Sequence, residues 1–324
     1  MTLHLNEADV RRLLTMPMAM EAVEEISRKQ ATGRAILHPR RRFELPSGGG
    51  FFHFMDAMDT EAGFIAMKQY TYVKGTLRFL VPLYEIATGA LLALIEADFL
   101  GQQRTGAASG VATKFLARKD ARTAAIIGTG GQAKTQLEAI AAARKLESVR
   151  VYGRDPERRK AFCEEMSHRL GIPVRPADSG REAVRGADII NTATTSAKPV
   201  LDGVDIAEGA HINAIGANHA HKRELDDAAI SRAEVIFVDS IVQSEQEAGD
   251  LIVPFQQQPQ KWHLVKELHQ LVDGQVSGRT SEKQITLFKS SGIATWDLAV
   301  AERIYSLAKQ KNLGRELTFF SSGK

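Results

Sequence analysis

The residues able to do chemistry fall into two groups, a glycine-rich turn and a set of cationic or imidazole side chains at otherwise apolar positions. The turn is Ala124-Ala-Ile-Ile-Gly128-Thr129-Gly130-Gly131-Gln132-Ala133, after an apolar run and at the start of a helical one. Gly128 permits the tight turn, Gly130 lets the backbone approach a pyrophosphate, and Ala133 takes the small helix-packing position. Free N–H groups and the positive dipole end of the helix, at Thr129 to Gln132, suit phosphate oxygens. The pattern predicts a dinucleotide site. The next strand ends Gly153-Arg154-Asp155, with no carboxylate at the usual ribose-binding place. Arg154 there can hold a 2′-phosphate with two hydrogen bonds, so NADPH is expected and NADH is the alternative. Asp155 is either a late ribose ligand or the cap of the following helix. Thr192 and Ser290, at the ends of later strands, complete the expected cofactor contacts.

Arg104 lies on a helix over 98–117, on the face formed by positions 100, 104, 107, 108, 111 and 115, whose other members are Leu, Ala, Val and Phe. A buried arginine is costly unless it meets an anion, which here is either a ligand carboxylate or an internal Asp or Glu. Lys68 raises the same question, sharing a strand face with Phe64, Ala66 and Tyr70. His219 lies in a loop expected beside the nicotinamide and is read as lining the substrate mouth. With His221 and Asp226 it has the wrong spacing for a complete metal site, so no metal is expected. Cys163, the single cysteine, sits in a helix and is read as a packing residue.

These residues need two kinds of framework. Asn6 and Asp9 form a capping box opening a short helix, and Thr15 with Pro17 opens a second over 18–30. The period then changes to strands over 51–58, 64–72, 79–86 and 90–95, joined by short turns and therefore antiparallel. After the helix over 98–117, strands 123–127, 149–152, 187–191, 211–215 and 235–238 alternate with helices 131–145, 156–170 and 224–231. That alternation predicts a doubly wound parallel sheet. A strand over 287–290 and a helix from Ile293 to about Lys309 close the chain, and this last helix is expected to pack back on the N-terminal half. The stretch 254–259 reads as a loop.

Length allows two domains. A formal charge of +3 and only 6% aromatic residues argue against a nucleic-acid surface, and the basic clusters at 40–42 and 150–160 read as local anion sites or solvated faces. No apolar run approaches the ~20 residues of a membrane span, and the N-terminus lacks the features of a signal peptide. A cytoplasmic protein is expected.

Over nearly its whole length the chain resembles the ornithine cyclodeaminase/mu-crystallin family. The shared series includes Lys68-Gln-Tyr-Thr-Tyr, Gln103-Arg104-Thr105-Gly-Ala-Ala-Ser, the Gly128–Ala133 turn, Gly209-Ala-His-Ile-Asn-Ala-Ile-Gly216, Arg223-Glu-Leu-Asp226, Val238-Asp-Ser240, Gly249-Asp250 and Phe288-Lys-Ser-Ser-Gly292. The resemblance implies a Rossmann domain, residues 118–292, inserted in an α+β substrate and dimerisation domain built from both chain ends, 1–117 and 293–324. It implies a homodimer. It also implies that Arg42, Lys68 and Arg104 hold a substrate carboxylate, with Arg40 and Arg41 as alternatives to Arg42.

Two departures bear on the reaction. Asn218 follows Gly216-Ala217 where cyclodeaminases carry an aspartate, and an amide cannot accept a proton as a carboxylate does. His53 stands where they carry a glutamate, and either it or water would protonate an imine. The expected activity is therefore NAD(P)H-dependent reduction of a small imino acid or cyclic ketimine 2-carboxylate, reversible as an amino-acid dehydrogenase. Ornithine or lysine cyclodeamination with recycled NAD is the second reading, and a non-enzymatic protein binding NADPH and a carboxylated ligand is the third.

Overall fold

The computed structural model describes residues 1–46 and 48–319. They form two compact units, the described parts of 1–104 with 293–319, and 105–292. The first unit opens with β1 (Thr2–Leu5), α1 (Glu7–Leu13) and α2 (Met16–Ala31). The expected capping box is present: Asp9 N–H donates to Asn6 Oδ1 at 3.0 Å, and Asn6 N–H donates to the Asp9 carboxylate at 3.2 Å. Then come β2 (Ala35–Leu37), β3 (Arg41–Glu44), β4 (Gly50–Asp59), β5 (Phe64–Val73), β6 (Thr76–Glu85), β7 (Leu91–Glu96) and α3 (Asp98–Leu116). β4 to β7 form the antiparallel ladder that the alternating pattern and short turns require. Lys74 and Gly75 connect β5 to β6 with φ of 47° and 82°, the two-residue turn whose twist matches the strands it joins.

The second unit contains β8 (Thr123–Ile127), α4 (Gly131–Ala143), β9 (Ser148–Tyr152), α5 (Pro156–Leu170), β10 (Val174–Pro176), α6 (Gly180–Val184), β11 (Ile189–Thr192), β12 (His211–Ala214), α7 (Asp227–Arg232), β13 (Ala233–Val238), α8 (Ile241–Glu247), α9 (Gly249–Phe255), β14 (Val265–Glu267), α10 (Leu268–Val272) and β15 (Ile285–Lys289). Its sheet is parallel throughout, in the order β10-β9-β8-β11-β12-β15-β13-β14. The connection reverses direction between β8 and β11, which opens a crevice at their carboxyl ends.

The chain returns to the first unit as α11 (Ala294–Lys311) and β16 (Arg315–Leu317). α11 packs on α2, β4 and β5, as the sequence led us to expect. One sheet face is thereby buried: it carries Met55, Ala57, Ala66, Val81 and Leu83 beneath Trp296, Val300 and Ile304. It also carries the polar residues His53, Asp59 and Lys68.

The structure corrects several expectations. The short strands β1, β2, β3, β10, β14 and β16 have too few residues to show a period, and their neighbours supply the register. The helix expected over 224–231 starts at Asp227, because the N–H groups of Glu224 and Leu225 donate to the Asp250 carboxylate at 2.6 and 2.9 Å, while Asp226 caps. Residues 254 and 255 belong to α9, and Pro259 opens a 3-10 turn, so the loop is only 256–258. α3 is buried from Gln103 to Thr113 rather than along one face, and the boundary between the two units falls inside it, after Arg104.

Candidate active site

In the first unit, strand alternation brings Lys68 to the buried face of β5, opposite Met55 of β4. Its ammonium lies between two helices. On α3, a β-carbon at Gly101 would stand 2.7 Å from Lys68 Nζ, so the glycine makes the space that the ammonium fills. On α11, Asp297 accepts from Lys68 Nζ at 2.9 Å and from Arg104 Nε at 3.0 Å, both through the same oxygen, Oδ1. Lys68, Arg104 and Asp297 are 3%, 6% and 1% exposed. Two buried cations thus share a single carboxylate, which leaves a positive excess in a medium of low polarity. Arg104 Nη1 and Asp297 Oδ2 are buried without a hydrogen-bond partner among the described residues. Burial pushes the Lys68 ammonium down to about 8, with Arg104 adding to the effect and Asp297 opposing it. Its positive end also lies 5.4 Å from the Phe79 ring and 5.9 Å from that of Tyr70.

The arginines before β4 separate. Arg40 is 7% exposed, and its charge acts on Lys68. Arg41 is exposed and pairs with Asp56 at 3.4 Å. Arg42 Nε donates to His53 Nε2, and the Nδ1 of that ring bonds the Tyr70 hydroxyl. His53 is only 1% exposed because it points to the helix-covered face. With Nε2 accepting from a guanidinium, the ring is held neutral with its proton on Nδ1. It is therefore a poor proton donor and better suited to orienting Arg42 and Tyr70.

In the second unit, Gly128 has φ of 118°, and a β-carbon there would meet the Ala193 carbonyl at 2.4 Å. Only glycine fits between the turn and the end of β11. Gly130 is the N-cap of α4 with no side-chain cap, so first-turn N–H groups remain for phosphate oxygens. Around Gly130 there is open space, Ala133 is fully buried, and Gln132 Oε1 is buried without a partner among the described residues. Thr129 packs against Gly153, where a β-carbon would come within 2.7 Å of Thr129 Cγ2. These features fit a dinucleotide pyrophosphate. Asp155 is the cap of α5, accepting Arg158 N–H at 3.1 Å. Arg159 is tied to the Gly153 carbonyl at 2.9 Å, whereas Arg154 is exposed and makes no hydrogen bond or ion pair among the described residues.

Thr192 and Ser290 are both buried. The Thr192 hydroxyl donates to Glu224 Oε2 at 2.8 Å and that of Ser290 donates to Asp239 Oδ2 at 2.9 Å, so both serve internal bonds. Asn218 and His219 are joined, His219 Nδ1–H donating to Asn218 Oδ1 at 2.9 Å. Asp226 accepts Ala229 N–H and Gly203 N–H, which leaves it a structural cap rather than a metal ligand. Burial raises the Cys163 thiol to about 11, as suits a packing residue rather than a nucleophile.

Sequence reasoning missed the residues that hold these groups in place. Asp297 has an apolar helix around it and belongs to none of the recognised motifs. Glu224, Asp250 and Lys289 lie within recognised motifs, but no role was read for them. Lys289 is fully buried, donates to the carbonyls of Ala214, Ala217 and Ser290, and pairs with Asp250 at 3.3 Å. Glu224 accepts from Thr194 N–H at 2.7 Å and Gly216 N–H at 2.6 Å. Together they fix the segment that presents Asn218.

A doubly wound parallel sheet with this glycine turn defines a dinucleotide-binding protein, here joined to a unit with a buried cationic cluster. The chain belongs to the ornithine cyclodeaminase/mu-crystallin family, whose model matches residues 2–312. It is 40% identical over 247 residues to a Δ1-pyrroline-2-carboxylate reductase of Bacillus cereus, covering 76% of each chain. A solved Thermococcus litoralis Δ1-pyrroline-2-carboxylate reductase, in complex with NADH and L-proline, superposes with a TM-score of 0.94 at 37% identity, over 98% of this chain and 100% of that one. An archaeal alanine dehydrogenase dimer with bound NAD gives 0.92 at 34%, over 98% and 99%.

Two outcomes follow from this geometry. Gly101→Ala should lower thermal stability, because pushing the Lys68 ammonium away from Asp297 in the interior costs about 3 kcal/mol or more, against the about 1 kcal/mol by which alanine is favoured over glycine within a helix. Displacing the Lys68 ammonium should also lower kcat/KM by roughly tenfold or more, as misplacement in an active site does; melting and steady-state assays on one preparation check both. Arg154→Ala should weaken NADPH by about tenfold while sparing NADH, which titrations of each cofactor will read.

Proposed function

We propose that the protein reduces a cyclic imine bearing a 2-carboxylate, such as Δ1-pyrroline-2-carboxylate, at the expense of NADPH or NADH. The observation that carries this reading is the buried positive excess at Lys68 and Arg104, with a guanidinium nitrogen left unpartnered. A small carboxylate would neutralise that excess and accept from Arg104 Nη1. The reductases and the dehydrogenase to which the chain is similar support the same reaction class, as reduction of C=N or its reverse.

In this mechanism Arg104, with Arg40 or Arg42, holds the substrate carboxylate. Lys68, with its acidity close to neutral, has two parts: below about pH 8 it is cationic and adds to the anchor, and it gives its proton to the imine nitrogen as the C=N bond is reduced. A bound reduced nicotinamide supplies the hydride received at the imine carbon. His53 keeps Arg42 and Tyr70 in place. Asn218, an amide where cyclodeaminases carry an aspartate, cannot act as a base, which suits reduction and not deamination. The first unit is thus the acid-binding part and the second the dinucleotide-binding part. A homodimer accords with the half-buried outer sheet face of the first unit, which presents Phe52, Phe54, Met58, Ile65 and Met67.

The test is a panel of imino acids assayed for NADPH and NADH oxidation: five- and six-membered cyclic ketimine carboxylates, iminosuccinate, and pyruvate with ammonia. Turnover of a cyclic ketimine with stoichiometric cofactor oxidation is expected, with little ammonia from ornithine. Proline and ammonia formed from ornithine with no added reductant would reverse the assignment.

A further inference from the structure

Asp297 stands in the first turn of α11, a helix whose buried face is otherwise apolar or uncharged, and is itself 1% exposed. A lone carboxylate at such a position is costly unless it does something that an apolar side chain cannot. Charged groups act on Lys68 from three segments: Asp297 from α11, Arg104 from α3, and Arg40 from the stretch before β3. Gly101 and the rings of Tyr70 and Phe79 also lie near its ammonium. Asp297 is the sole anion of that set. Its Oδ1 accepts from both Lys68 and Arg104, so one atom fixes the separation of the two cations.

We propose that Asp297 is a positioning residue, which aligns Lys68 with Arg104 and holds the lysine in its ammonium form for proton delivery to the substrate nitrogen. The inference rests on the reading of Lys68 as the proton donor. The step it supports is balanced: the N–H bond of the ammonium breaks, an N–H bond forms on the imine nitrogen, and the imine carbon takes the hydride while the dinucleotide is oxidised. Neutral Lys68 then regains a proton from water. Without the carboxylate, Lys68 would lose the opposite charge that offsets Arg104 and Arg40, and it would lose its proton at a lower pH.

The experiment is the pH profile of kcat/KM in the full-length protein. The parent should lose activity above about pH 8, where Lys68 deprotonates. In Asp297→Asn that alkaline limb should move down by about one pH unit or more, the ordinary scale for loss of a facing opposite charge, with NADPH affinity unchanged. Asp297→Glu should keep the limb in place and restore part of the rate. Asp297→Thr serves as the neutral variant if the asparagine does not fold. Lys68→Arg, a cation that does not titrate in this range, separates the two layers. A limb that persists in Lys68→Arg overturns the proton-donor reading itself. If it vanishes there but stays unmoved in the neutral Asp297 variants, the positioning role alone is overturned. Failure of both neutral variants to fold would also overturn it, in favour of a structural ion pair.

Discussion

Burial of two cations on one carboxylate oxygen is the constraint around which the first unit is arranged. Lys68 and Arg104 come from a strand and a helix, and Asp297 comes from nearly the other end of the chain. None of the three is tolerable alone in so apolar a setting. The closing helix must return to the sheet to supply the anion, Gly101 must lack a side chain to admit the ammonium, and β5 must keep its register to aim Lys68 inward. A one-residue slip of that strand would turn Lys68 to the opposite face. What the cluster lacks is a second negative charge, which under the proposed function a carboxylated substrate would bring.

The second unit answers a different requirement with the same economy. Its glycine turn leaves room and free N–H groups for phosphates, while buried ions behind it stiffen the strand ends. Glu224 bonds to Thr192, Thr194 and Gly216, and so links the ends of β11 and β12. Lys289 gathers the carbonyls that follow β12, and Asp250 both pairs with it and stops the next helix from starting early. Burial favours the neutral form of Glu224, and the Lys289 charge opposes that tendency, so the ion set is mutually dependent. Such networks give rigid placement to a loop that would otherwise fray.

Much of this was legible in the sequence where a period or a motif had a mechanism behind it. The parallel sheet followed from strand–helix alternation, the glycine cradle from its spacing, and the interest of Arg104 from a charge on an apolar face. Legibility failed where the cause is a partner distant in sequence. Asp297 could have been found by asking which carboxylate lies on an apolar helix, since a buried arginine demands an anion. The hydroxyls of Thr192 and Ser290 looked available because their acceptors, Glu224 and Asp239, are reached only through the fold. The burial of His53 was not legible because strand alternation alone does not say which face a helix will cover.

In a net reductase a hydride leaves a dinucleotide and stays in the product. The direct measurement is transfer from NADPH or NADH deuterated at the reactive C4 position, with a cyclic ketimine 2-carboxylate as substrate and the product read by mass spectrometry and NMR. One deuterium at C2 of the ring amino acid, matched by one oxidised dinucleotide per turnover, is the predicted result. Ring amino acid formed from an open-chain diamino acid, with ammonia released and no net change in the dinucleotide, would contradict it.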